Sequence, residues 1–423
     1  MKEIIIKNVD EKVYKHTCTS GLKVYIWTYP FCEETNLTLT VKYGSVHTKF
    51  KVDGKEISVP NGIAHFLEHI KFNEKKDVSA HEWFNKIGSY INAYTTYDHT
   101  CYEVICSQNI EDNLKHLLKF VYNPYFTKGL IAKEKPIIIE EASMSLDNPY
   151  NVGYKELLKN LYFNNNKKYL VTGEKEDIKS ITYDDVINVF DNFYHPENMF
   201  LIVTGNVNPY EIAKVCDKFF EKNQTSEYSN PKVITEKEPD KVRKDCKKIN
   251  VNVTKENLML AFKIPRKNFN LSQIETKLFT NILLDTNFGS ISVLKENLLN
   301  EKLIDDLYYS FSYEEEHLVI IFEVSTSYPE EVSKKIKECF SNLEISKETF
   351  ERRIKCFVAE DILGFEDPME VNNTIRSNII NYDKVLDNTI DVLKNAKYEQ
   401  IKLFISKLKK YTSSEIILLP KDK

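Results

Sequence analysis

The 423-residue sequence carries 58 Lys and Arg against 63 Asp and Glu, a formal charge of −5 at pH 7, which removes any general electrostatic case for binding nucleic acid or an anionic membrane. With 42% hydrophobic and 29% charged residues, only 11 Gly and 13 Pro, the composition is globular, and the length suits two domains better than one core. The eight cysteines are scattered with no CxxC pair, a spacing that fits neither a zinc knuckle nor a disulfide framework and reads as reduced thiols of a cytoplasmic protein.

The first thirteen residues (MKEIIIKNVDEKV) contain an apolar run of only three isoleucines. That is too short for a signal-peptide core, and no later stretch reaches transmembrane length. Residues 37–43 (LTLTVKY) alternate like a strand. The next segment, NGIAHFLEHIKF at 61–72, sets Ile63, Phe66, Leu67 and Ile70 on one helical stripe. His65 and His69 are four apart, so on a helix their imidazoles lie one above the other, within reach of a single tetrahedral metal ion. Glu68 precedes the second His, near such a metal but turned away from the ligand row, where it can take a proton from water rather than ligate. This His-x-x-Glu-His order is the reverse of the commoner His-Glu-x-x-His and serves the same chemistry.

A helix is expected at 112–120. Beyond it, EKPIIIEEASMSLDNP offers the third protein ligand that a catalytic zinc site needs. Glu134 and Glu141 are seven apart, two turns of one face if the segment is a single helix, while Glu140 points about 100° away from Glu141, to solvent or to the surroundings of a site. Pro136 stands between them, where a proline kinks or starts a helix. A strand at 200–204 and a helix at 209–220 follow. The polar stretch 221–249 is the candidate linker. It divides the chain into a zinc-binding domain at 1–225, a linker at 226–247 and a second domain without a metal site at 248–423. The second half reads as a strand at 318–324 and helices at 347–363 and 398–408. Tyr102-Glu103-Val104 and Phe322-Glu323-Val324 each end a strand before a polar turn and an acidic-led helix, 220 residues apart. That offset, about half the chain, points to an internal duplication. The expected fold class is α+β: two homologous domains, each a mostly antiparallel sheet backed by helices.

These segments resemble the pitrilysin or insulinase metallopeptidases, which include mitochondrial processing peptidase and many small bacterial proteases. GIAHFLEH is close to the family's zinc helix, EKPIIIEEASM to its second zinc helix, and GSYINAYTTYDHTCYEV to the segment around an Asn-Ala pair. FYHPENMFLIVTGNV resembles the stretch closing its first domain, and FGSISVLKENLLNEKLIDDLYYSF the matching part of the second. The resemblance implies a half clam-shell of two domains. It implies His65, His69 and Glu141 as zinc ligands, Glu68 as general base, and Glu134 as a carboxylate steadying a ligand. Asn92 and Ala93 would lie on an edge strand that pairs with extended substrate. The activity implied is zinc-dependent endopeptidase action on peptides or unfolded precursor segments. One departure bears on partners. The family's peptidases bring an Arg and, seven residues later, a Tyr from the second half; none of Arg243, Arg266, Arg352, Arg353 and Arg376 has a Tyr at that spacing, and NLLNEKLIDDLYY carries Leu and Asp there. The expectation is a heterodimer, in preference to a homodimer, with a homologous zinc-less subunit supplying the Arg and Tyr. The rival is a non-catalytic family subunit with a structural role in a complex, against which the four complete site positions weigh.

Overall fold

The computed structural model describes residues 1–223 and 225–421. They form two compact units that interleave in sequence: 1–142, 170–235 and 361–388 make the first, and 143–169, 236–360 and 389–423 the second. One changeover, between Thr235 and Glu236, falls inside the polar stretch 226–247.

The first unit is built on seven strands: β1 (Lys2–Ile6), β2 (Glu11–Thr17), β3 (Lys23–Thr28), β4 (Thr35–Val41), β5 (Tyr90–Thr95), β6 (Thr100–Cys106) and β7 (Met199–Gly205), in the order β1-β2-β3-β7-β4-β6-β5. Every pairing is antiparallel except β3 with β7. The second unit is built on β8 (Cys246–Val251), β9 (Asn257–Pro265), β10 (Asp306–Tyr313), β11 (His317–Ser325) and β12 (Thr412–Pro420), in the order β8-β12-β9-β11-β10. Here too a single pair, β8 with β12, is parallel. Strand for strand, β3-β7-β4-β6-β5 recurs as β8-β12-β9-β11-β10. The register agrees: Tyr102 sits between Leu39 and Ala93, and Phe322 between Leu260 and Tyr309. Two homologous α+β domains therefore make up the chain, the first extended by the β1–β2 hairpin.

Among the helices that carry the site or cover the sheets are α1 (Ile63–Lys71), α2 (Lys128–Asp147), α3 (Pro149–Leu161), α4 (Pro209–Lys222) and α5 (Pro368–Tyr382). The helices expected at 112–120, 347–363 and 398–408 correspond to Ile110–Tyr122, Lys347–Leu363 and Tyr398–Leu408, and the one at 209–220 to α4. Of the two expectations for Pro136, a kink or a helix start, the start is corrected, because α2 runs through it from Lys128 to Asp147. A proline removes one amide donor, and Leu130, Ile131, Ile138 and Ala142, all buried in the same core, hold the turns on either side.

The first sheet is covered on both faces. Leu37, Leu39, Val41, Tyr102, Val104, Leu201 and Val203 pack with Ile63, Phe66, Leu67 and Ile70 of α1. On the other face, Tyr25, Trp27, Phe200 and Ile202 meet Val371, Ile375 and Ile379 of α5. Hence β4 and β7 are buried at every position. Thr38, on the face of β4 opposite Leu37 and Leu39, lies beneath α5. Thr38 Oγ1 donates to Asn372 Oδ1 at 2.8 Å, and Asn372 Nδ2 donates to Thr204 Oγ1 at 3.4 Å, so these buried polar groups are satisfied. The cover α5 comes from the second half of the sequence. Reciprocally α3, from the first half, lies on β9 and β12 of the second unit, where a Cβ on Gly153 would come within 2.9 Å of Met259 Sδ. Each sheet thus takes one covering helix from the other half of the chain.

Candidate metal centre

Helix α1 begins at a left-handed residue. Gly62 has φ 81°, and a Cβ there would stand 2.4 Å from the carbonyl oxygen of Thr172, so neither the backbone conformation nor the space admits another side chain. With the apolar stripe of α1 sunk in the core, His65 and His69 emerge side by side, their ring centroids 4.6 Å apart.

Helix α2 brings the carboxylates. Glu141 bridges both rings, Oε1 lying 3.4 Å from His65 Nε2 and Oε2 3.1 Å from His69 Nε2. One donor atom from each of these three residues lies within 4.8 Å of the others. Two turns earlier on the same face, Glu134 Oε1 is 3.2 Å from His69 Nδ1. His69 is therefore held at both nitrogens, while Glu140 is exposed. Burial pulls the His69 pKa down, but the hydrogen bonds to Glu134 and then Glu141 outweigh it and push it up to about 9. Hydrogen bonds from His65 and then His69 hold the Glu141 carboxyl well below the usual carboxylate range. Each of these two groups is thus held in its charged form by the other, and the two carboxylates supply the negative charge that would attract a cation here. Two imidazole nitrogens and a carboxylate are a donor set suited to zinc.

Glu68 is not in that donor set. It is 6% exposed, and its Oε2 accepts a 2.6 Å hydrogen bond from Thr95 Oγ1. Burial raises its pKa, partly countered by His65, Thr95 and His69. Thr95 escaped the sequence reading because a strand-end threonine carries no local mark of its partner 27 residues away.

Asn92 and Ala93 lie on β5, the strand at the open edge of the first sheet. They face Glu103 and Tyr102 of β6, which leaves the opposite side of β5 for another extended chain. Asn92 is exposed and Ala93 partly so, and α1 packs directly on this strand. The edge and the histidine pair are therefore neighbours. The eight cysteines are all free thiols, and among the described residues no helix is long and apolar enough to cross a membrane.

Comparison with known proteins points the same way. Residues 30–175 match the family model for insulinase, peptidase family M16, and residues 180–355 match that for the peptidase M16 inactive domain. The zinc protease YmfH of Bacillus subtilis, itself described as uncharacterized, is 33% identical over 321 residues, 75% of this chain and 74% of that one. The beta subunit of the mitochondrial-processing peptidase of Neurospora crassa is 23% identical over 59% of this chain and 52% of its own. A structure described as an M16-like peptidase from Alicyclobacillus acidocaldarius superimposes with a TM-score of 0.89 at 25% identity, covering 97% of this chain and 98% of that one. A protease from Helicobacter pylori does so at 0.82 and 20% identity, covering 97% and 100%. With a duplicated sheet, both halves matched by its models and a relative aligned over three quarters of its length, the chain belongs to the insulinase family of peptidases, M16.

Proposed function

We propose that this chain is a zinc-dependent endopeptidase that hydrolyses peptides or unfolded precursor segments in the cytoplasm, and that a homologous subunit completes it. The observation that carries this reading is the meeting of His65, His69 and Glu141 from two separate helices, with Glu68 beside them and outside the donor set. These three residues would hold the ion. When bound, zinc brings the pKa of its water toward neutrality and polarises a substrate carbonyl.

The chain's own groups do the rest. Glu68 takes the proton of the attacking water and returns it to the leaving nitrogen; its burial raises its proton affinity, which suits a base working near neutral pH. Thr95 fixes the carboxylate that does this. Glu134 accepts from His69 Nδ1–H, which sets the tautomer and turns Nε2 toward the centre. The edge of β5 at Asn92 and Ala93 pairs with substrate main chain, a mode that demands an extended and therefore unfolded segment.

A partner is proposed because the second half lacks the Arg and Tyr of the family's peptidases, and the Neurospora relative is by name one subunit of a peptidase. The cytoplasm is proposed from eight free cysteines. The decisive test is purification of the chain with its partner from the native host, followed by zinc analysis and a peptidase assay of wild type and Glu68→Gln. Bound zinc in both, with turnover only in the wild type, supports the assignment. Zinc without turnover in either, even in the complex, favours instead a non-catalytic subunit, the reading to which the match with the inactive-domain model lends some weight.

A further inference from the structure

Among the described residues one other set of metal-type donors comes together, about as compactly as the first. His16 lies near the end of β2, Cys18 follows it at the turn into β3, and Asp217 lies on α4. His16 Nε2 is 3.0 and 2.9 Å from the two carboxylate oxygens of Asp217. Donor atoms of His16, Cys18 and Asp217 all fall within 4.8 Å of one another. Cys216, a fully buried residue next to Asp217 on α4, adds a second thiol close to Cys18.

Both sides of this cluster stand on fixed backbone. His16 pairs with Val24 in the β2–β3 hairpin. The turn beyond it is closed by the Cys18 amide donating to Leu22 and the Gly21 amide donating to Cys18, each at 2.9 Å. Cys216 and Asp217 are consecutive residues of a helix whose apolar face is in the core. All four residues belong to the first unit.

We propose that His16, Cys18 and Asp217 form a second zinc site, one that pins α4 to the β2–β3 hairpin, with Cys216 or solvent in the remaining position. A thiolate, an imidazole and a carboxylate select zinc over magnesium or calcium, which prefer all-oxygen shells. Ligands held about 2.0 Å from a tetrahedral ion are roughly 3.3 Å apart, so the His16–Asp217 contact needs to open by only a few tenths of an ångström. The His16 and Asp217 side chains are 20% and 34% exposed, which gives the ion a path in, while Cys18 is 3% exposed. Buried Cys18 enters the site as a neutral thiol, because burial disfavours the thiolate until the ion is there. On binding, the S–H bond breaks, the S–Zn bond forms and the proton leaves to solvent.

Cobalt(II) is the probe, because only a cysteine ligand gives the near-ultraviolet thiolate-to-cobalt charge-transfer band and the histidine–glutamate centre has no thiolate. The metal-stripped full chain should bind two equivalents and show that band, with the strength of one thiolate if solvent fills the remaining position and of two if Cys216 does. His65→Ala should lose one equivalent and keep the band. Cys18→Ser should lose the other equivalent together with the band. The part-exposed His16→Gln variant, monitored for folding by circular dichroism, provides the same loss should the cysteine variant misfold. A folded wild type that binds a single equivalent with no thiolate band overturns the proposal, as does a folded Cys18→Ser that still binds two. Neither result touches the His65–His69–Glu141 centre, whose failure would appear as an unchanged equivalent in His65→Ala.

Discussion

Replacing Thr95 by Val tests whether a hydrogen bond outside the expected donor set governs the base. Valine keeps the branched shape and removes only the hydroxyl that donates to Glu68 Oε2 at 2.6 Å. The carboxylate is 6% exposed, so water cannot readily replace that donor. A hydrogen bond to a charged group contributes about 1.5–3 kcal/mol, and each 1.4 kcal/mol or so is a factor of ten in rate. The expected loss in kcat is therefore roughly ten- to a hundredfold, with KM and zinc content near wild type because neither the ligands nor the main chain of β5 is altered. Thr95→Ser restores the hydroxyl and should recover most of the rate. The assay is steady-state cleavage of a quenched-fluorescent peptide by the complex from the native host. A Thr95→Val enzyme within twofold of wild type, or a Thr95→Ser enzyme as slow as Thr95→Val, would refute the claim that this hydroxyl positions the base.

The other expectations concern the ligand set, the helix start, the exchanged helix and the partner. Glu134→Ala frees His69 Nδ1 and should weaken zinc binding about 10- to 100-fold in chelator competition; unchanged affinity would remove Glu134 from the metal's support. Gly62→Ala forces a Cβ into the left-handed region and onto the Thr172 carbonyl, and should cost about 2 kcal/mol or more and several degrees in Tm. An unchanged melting curve would mean that the start of α1 rearranges freely. Asn372→Ala strips the buried partner from Thr38 and Thr204 and should destabilise the chain by about 1–3 kcal/mol in urea titration; no loss would show that the polar seam under α5 contributes nothing. The purified chain alone should cleave peptides at background rates and gain activity when the homologous subunit is added, and full turnover in isolation would contradict the need for a partner.

What was legible in the sequence was local. His65, Glu68 and His69 lie within five residues, and helical spacing alone decides which of them share a face. Glu134 and Glu141 were legible on the condition that their helix is continuous, and Pro136 argued against it; buried side chains on both sides of the proline settle the matter, and these are tertiary contacts. The duplication showed through Tyr102-Glu103-Val104 and Phe322-Glu323-Val324 because the strands that carry them hold equivalent places in two sheets of one topology. The exchange of α3 and α5 was not legible. An amphipathic pattern fixes that a helix buries one face, never against which sheet. For the same reason nothing in the strand pattern at 37–43 shows that Thr38 is covered by Asn372, 334 residues away. His16 and Cys18 carry no local sign of a shared site, because Asp217 lies 201 positions from His16. Adjacency made by the fold leaves no trace in spacing.

The most direct measurement is an anomalous-difference map at the zinc edge from crystals of the native complex. The predicted result is a peak about 2.0–2.2 Å from His65 Nε2, His69 Nε2 and a Glu141 oxygen, with the Glu68 carboxylate nearby and not bonded to it. A fully zinc-loaded preparation with no density there, and Glu141 turned away from the two imidazoles, would contradict it.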